Sequence, residues 1–403
     1  MKFSKLSQLF LVSTIGLLVA TLLTSCAIVT IDYVFVASSA GSGSGSAGQI
    51  ETYDADSETG ALRSGAPTVP SGGIDPICMA TSADYKNLYV VNRGSNNLVH
   101  FSISGSGILA QKDVITTSAT PAWVAVNTAG TYLYVVSGPD PSVLTVYSLS
   151  SGAIGSVAAQ VTLALPDYPS DTIVPTGVHV LANGEAVYVS AYDQSAYNPG
   201  GVTTSIANPG WVFGYIAGSG GALTPSSNSP YKAGIKPSAI TSDPTNRFIY
   251  ATDFASNELI GYTIQGGSTL DFLINGPFKT GNEPNAIVID PRGIYIYISN
   301  QLDSTVSAFQ IALGTGTPSS VVNVTGSQLN TTDTTPVDVL VDPALGRFVY
   351  TANQLGNSIS GFVLTPTTGA LKATQSGPYP TGDKPSALAA VPHGNHSIQT
   401  VSP

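Results

Sequence analysis

The chain has 403 residues, a formal charge of −10 and only 9% charged residues, with 42 glycines, 27 prolines and 19 tyrosines. A hydrophobic fraction of 42% supplies enough apolar material for a core, which excludes disorder of the low-hydrophobicity, high-charge kind. Fourteen basic residues against 24 acidic ones give no positive field, so nucleic acid is excluded as a partner.

In chain order, the first feature is an address. Lys2 and Lys5 precede an apolar run from Leu9 to Leu23, which ends in Leu23-Thr24-Ser25-Cys26. A basic n-region, an apolar h-region and small residues before the cleavage point describe a secretory signal over residues 1–25. Ending on cysteine, the segment resembles the bacterial lipobox, which implies lipidation at Cys26 and an exported protein held to the cell envelope by its lipid. An ordinary signal peptide or an uncleaved anchor is the competing reading. Loss of residues 1–25 removes two lysines and no acid, leaving a charge of −12. Lipidation also takes one of the two cysteines, so Cys78 is expected as a buried core thiol. A short tether, 26–31, leads to a domain over 32–403.

That domain opens with a strand at Asp32–Ser38, then a Gly/Ser run at 40–49, then a second strand at Gln49–Ala55. The run contains a G-x-G-x-x-G match at Gly43, Gly45 and Gly48. It lies between two strands rather than before a helix, so it reads as a surface loop and not as a phosphate cradle.

From Pro76 onward the chain repeats. Seven segments open with a proline and a short apolar strand, at Pro76, Pro121, Pro175, Pro237, Pro284, Pro336 and Pro385. A turn follows, then a strand with tyrosine at a fixed offset: Tyr89, Tyr134, Tyr188, Tyr250 and Tyr297 lie 13 residues after their prolines, and Tyr350 lies 14 after its own. A third strand comes next, as in VHFSI (99–103), LIGYTI (259–264), VSAFQI (306–311) and ISGFVL (359–364), then a Gly-containing turn and a weaker fourth strand. Four strands per period of about 50 residues predict an all-β, seven-bladed β-propeller with four antiparallel strands per blade. The terminal remnants complete one blade together: Pro385 supplies a first strand, while 32–38 and 49–55 supply a second and a third. His396–Val401 competes with Asp32–Ser38 for the second place.

In such a ring the loops leaving each second strand and those entering each first strand share the face around the channel mouth. These loops hold Arg93, Asp193, Asp253, Glu283, Asp303 and Asp333 as binding candidates, with Asp75, Asp140, Lys236, Asp383 and Lys384 beside them. Loops are also where charge is simply tolerated. The largest departure from the repeat is the loop 191–210 of blade four, counting the blade closed by the termini as blade one. With the neighbouring loop 165–174 it offers Tyr168, Tyr192, Tyr197 and Trp211, an aromatic, hydrogen-bonding surface suited to a carbohydrate or an envelope protein.

The motifs LYVVN (88–92), FIYATD (248–253), IYISN (296–300) and FVYTAN (348–353) resemble those of YVTN-repeat propellers, and in particular the lactonase family of seven-bladed propellers that includes 6-phosphogluconolactonase. The resemblance implies site residues on one blade with Pro-Arg-His at its start and Asn-Glu-Leu after its second strand. The matching stretch is 281–306, in which Asn285 and Ala286 stand at the Arg and His positions and Gln301 at the Glu position. A further family His falls near Thr176 and a family Arg on Gln354. Lactone opening calls for a base for water and a donor for the oxyanion, and these five residues are all neutral. The expectation is therefore a binding propeller of the cell envelope, with a lactone hydrolase acting in carbohydrate metabolism as the alternative. No G-x-S-x-G is present, and His100, His179, His393 and His396 show no metal-ligand spacing, so neither a cofactor nor a metal is expected.

Overall fold

The computed structural model describes residues 29–39, 47–198, 201–202 and 209–394. The signal segment, Cys26 and His396–Val401 lie outside the described residues. Within them the chain forms seven antiparallel sheets arranged as the blades of a ring and a two-stranded hairpin of residues 197–198 and 201–202, with no α-helix among the described residues. Blade one is closed by both ends of the chain. Strand Thr30–Ser38 lies between Pro385–Pro392 on its inner side and Ala47–Asp56 on its outer side. Of the two rivals for that place, the N-terminal segment holds it. Blades two to seven then follow in order, their innermost strands beginning at Pro76, Pro121, Ile173, Pro237, Pro284 and Pro336.

The core consists of seven apolar clusters, each filling the gap between two adjoining blades. The cluster that joins blades six and seven, for example, packs Tyr297 and Val306 against Val339 and Phe362. The fixed tyrosine now has a physical reason. Its ring is buried, and in five of the six cases its hydroxyl donates to a carbonyl in the turn between the third and fourth strands of the next blade. Tyr89 reaches Gly152 (2.7 Å), Tyr188 Ser268 (2.9 Å), Tyr250 Gly316, Tyr297 Gly369 (2.9 Å) and Tyr350 Gly60 (2.8 Å). Each bond ties one sheet to its neighbour, and a buried phenol left unpaired is costly.

The fourth strand departs from the expected pattern. Blades two and three have continuous ones, Leu109–Thr116 and Ala153–Thr162. In the other five the outer strand is broken into two pieces, and both pair with the third strand, as Thr269–Phe272 and Phe278–Lys279 do with Glu258–Gln265. Prolines 230, 277 and 378 sit at three of these breaks; a proline offers no N–H and cannot extend a ladder.

Candidate functional site

Two repeated devices build the mouth of the channel. The first is a β-bulge. In every blade the pairing register slips by one residue just after the opening proline, so that residue is extra to the ladder. Bulges re-aim side chains, and here the seven extra residues all face one central cavity: Ile77, Ala122 and Val337 as apolar walls, Thr176, Ser238, Asn285 and Ser386 as polar ones. The second device is a backbone bond from the residue after the second strand to the carbonyl just before the proline. It fixes Arg93 to Asp75 (2.9 Å), Phe254 to Lys236 (2.9 Å), Gln301 to Glu283 (2.8 Å) and Gln354 to Thr335 (2.8 Å). The two loops of each blade are thereby locked side by side on the rim. Glu283 and Thr335 hold φ of 55° and 62°, a left-handed conformation at the same repeat position that turns the chain sharply into the innermost strand.

The cavity they enclose measures about 580 Å³, within the range of small-molecule sites. Thr176, Asn285, Gln301 and Gln354, four of the five positions marked by the lactonase resemblance, line it together. Ala286 is buried behind them among the apolar residues between blades six and seven. The Asn285 side-chain amide donates to Oε1 of Gln301 at 3.1 Å, and the Thr176 hydroxyl donates to Ser190 Oγ at 2.9 Å. On the rim stand two cations, Arg93 on blade two and Lys236 on blade five. Arg93 is paired with Asp75 at 3.0 Å. Lys236 is half-buried, its ammonium 5.6, 5.3 and 4.6 Å from the ring centres of Tyr192, Tyr197 and Phe254. Burial lowers the pKa of Lys236, and the Glu283 carboxylate opposes that shift. Aromatic faces around a cation partly replace its lost hydration.

The loop 191–210 thus contributes Tyr192 to the cavity wall and Tyr197 to the packing around Lys236, with the two rings edge to face at 5.3 Å. Its neighbours are placed elsewhere. Trp211 lies on the third strand of blade four beneath the Lys232 ammonium (3.7 Å), with its indole N–H buried, and Tyr168 is exposed on the neighbouring loop. Several acidic candidates bind the protein's own backbone. Asp253 is fully buried and accepts the N–H groups of Ile235 (2.7 Å) and Lys236 (2.9 Å), and so positions the lysine. Asp193, also fully buried, accepts the Ser195 N–H at 2.8 Å. Asp303 accepts the N–H of Asn282 (2.6 Å), and Asp333 accepts the N–H of Thr334 (2.7 Å) and the hydroxyl of Ser358 (2.8 Å). Cys78 is a buried free thiol on the cavity floor, pushed up by desolvation. His179 is bonded to Ser242 at 2.8 Å, and burial lowers its pKa to about 4.

Three residues of the site, Asp338, Phe254 and Trp123, are not marked by the sequence motifs. Asp338, on the innermost strand Pro336–Val341 of blade seven, lines the same cavity. Its Oδ1 accepts the Val339 N–H at 2.8 Å and its Oδ2 the Leu388 N–H of blade one at 2.7 Å. Desolvation outweighs these two bonds and raises its pKa to about 7. A signal was present: Asp338 is the only carboxylate in the seven innermost strands, set in the apolar run PVDVLV. Lys236, Phe254 and Trp123 also line the cavity, and each sits at a fixed offset from its repeat proline.

Among curated proteins none matches the sequence. Solved structures do resemble the fold. A proposed 6-phosphogluconolactonase from Bacteroides uniformis is 18% identical, with 90% of this chain and 100% of that one covered and a TM-score of 0.71. A periplasmic gluconolactonase from Pseudomonas aeruginosa is 19% identical, with coverage of 90% and 99% and a TM-score of 0.69. A protein from Lactobacillus plantarum is 17% identical, with coverage of 90% and 99% and a TM-score of 0.70. Identities this low carry the shared architecture and nothing about substrate. The sequence pattern of the lactonase seven-bladed β-propellers, in contrast, matches residues 48–164 and 105–396, and the chain belongs to that family.

Proposed function

We propose that the protein is an exported propeller of the cell envelope whose mouth cavity binds a small hydroxylated anion of the sugar-acid or lactone class. The observation that carries this reading is the composition of the cavity lining, drawn from several blades. The amides of Asn285, Gln301 and Gln354 and the hydroxyls of Thr176, Ser238 and Ser386 offer donors and acceptors to sugar hydroxyls, while Arg93 and Lys236 on the rim attract a negative group. Tyr192, Phe254 and Trp123 add aromatic surface for the C–H faces of a sugar. With neutral residues at the family-marked positions, the chemistry expected there is recognition: an amide neither takes a proton from water at neutral pH nor offers the charged fork of an arginine. Export and lipid attachment rest on the basic–apolar–Cys26 pattern of the first 26 residues.

Calorimetric titration with gluconate, 6-phosphogluconate and glucose tests the reading. The anions are expected to bind at least about tenfold more tightly than glucose, a difference of roughly 1.4 kcal/mol. The preference should shrink in Lys236→Met. Absence of binding, or equal affinity for glucose, overturns it. Loss of lipid labelling in Cys26→Ser tests the anchor.

A lactone hydrolase in the same cavity is the second reading, and Asp338 is the observation that favours it.

A further inference from the structure

We propose that Asp338 is a catalytic residue, the general base for hydrolysis of a sugar lactone held in the mouth cavity, one blade away from the position where the family resemblance places its own ionisable groups. The inference rests on the ligand class proposed above and adds a reaction to it.

Repeat geometry carries the argument. Asn285 and Ala286 are the first and second residues after the blade-six proline; Asp338 is the second residue after the blade-seven proline. It therefore occupies on blade seven the place that Ala286 occupies on blade six. In a ring of seven similar blades, a group moved to the equivalent position of the next blade faces the same channel from an adjoining wall. Ala286 is buried in the sheet, whereas Asp338 lines the cavity together with Gln301 and Gln354. Among the described residues it is the only carboxylate that does so.

Its surroundings suit proton transfer. Each carboxylate oxygen accepts one backbone N–H, from Val339 and from Leu388, so the group is held in one orientation while each oxygen keeps a second lone pair. Desolvation places its pKa at about 7, where a group both takes up and returns a proton readily near neutral pH. The other ionisable groups lining the cavity are Cys78, Tyr192, Arg93 and Lys236. Burial raises the thiol and the phenol and so keeps both neutral, and it lowers Lys236 against the pull of Glu283.

The step balances without any further reactant. Asp338 takes a proton from a water as its oxygen bonds to the lactone carbonyl carbon. Gln301, whose Oε1 is occupied by Asn285, has its Nε2 left to donate to the developing oxyanion. Collapse of the tetrahedral adduct breaks the bond to the ring oxygen. The proton held by Asp338 passes to that oxygen, leaving one hydroxy acid from one lactone and one water.

The test compares wild type, Asp338→Asn and Asp338→Glu on glucono-1,5-lactone, with the spontaneous hydrolysis subtracted at each pH and gluconate affinity measured alongside. Wild type is expected to accelerate ring opening, with kcat/KM rising with pH to a plateau above about 7. Asp338→Asn should lose roughly 10²–10⁴-fold in rate while gluconate affinity is unchanged. Asp338→Glu should retain part of the rate with a displaced pH profile. Asp338→Asn hydrolysing like wild type overturns the proposal, as does a wild type that binds gluconate yet accelerates nothing. If Asp338→Asn loses gluconate binding, Asp338→Glu decides: an unaltered rate and profile overturns the role. A wild type that does not bind gluconate refutes the ligand class, and this inference falls with it.

Discussion

Replacing Asp338 by asparagine changes how stability depends on pH, independently of any catalysis. The folded carboxyl titrates near 7 instead of near 3.8, because burial outweighs its two backbone bonds. The folded state therefore holds a proton that the unfolded state releases. Stability from this group is fully present below pH 4 and is lost as pH rises through 7. A rise of about three units corresponds to roughly 4 kcal/mol at 1.36 kcal/mol per unit, and solvent in the channel reduces this to about 2–4 kcal/mol. Asparagine cannot ionise, but its NH₂ must face either the Val339 or the Leu388 N–H, a mismatch that costs about 1–3 kcal/mol at every pH. Wild type should thus be the more stable protein at pH 4.5, and the gap should close or reverse by pH 8. Denaturant melts of both proteins across that range measure the gap. A gap that does not change with pH refutes the claim that desolvation at the cavity wall raises the Asp338 carboxyl.

Three other substitutions probe the ring and the mouth. Tyr297→Phe removes the phenol that bonds the Gly369 carbonyl of the next blade and leaves that carbonyl unpaired, so it should cost about 1–3 kcal/mol in a denaturant melt without altering ligand affinity. Asp32, on the strand that closes blade one, is fully buried and raised by desolvation and by Asp342; Asp32→Asn should raise the melting temperature more at pH 8 than at pH 5, because the wild type loses stability as the pH climbs. Arg93→Ala should weaken binding of an anionic ligand about tenfold and flatten its salt dependence, read by calorimetry at two ionic strengths, while glucose affinity stays constant.

The architecture was legible because its cause is local and repeated. A proline, an apolar strand and a tyrosine recur at fixed offsets, and five of the six tyrosines bond the next blade. Closure by the two termini followed from counting strands at both ends. The broken outer strands were not legible: the expectation was one weaker fourth strand per blade, and only the pairing of the third strand with a second fragment shows the break. The site was half legible. Family positions led to Thr176, Asn285, Gln301 and Gln354, which do converge, but following single positions along one chain misses a group carried to the next blade. Asp338 is such a group, found only when pseudo-symmetric positions are laid over one another. The loop acids misled for a different reason: Asp193 and Asp253 read as solvent-facing charges, whereas tight turns at the strand ends use them to hold backbone N–H groups.

The most direct measurement is a crystal structure of the wild-type protein with gluconate. The account predicts the ligand in the mouth cavity, with its hydroxyls on Asn285, Gln301 and Gln354 and its carboxylate carbon, C1, on the side of the cavity that Asp338 lines. Gluconate bound elsewhere on the ring, or an empty mouth at saturating ligand, contradicts it.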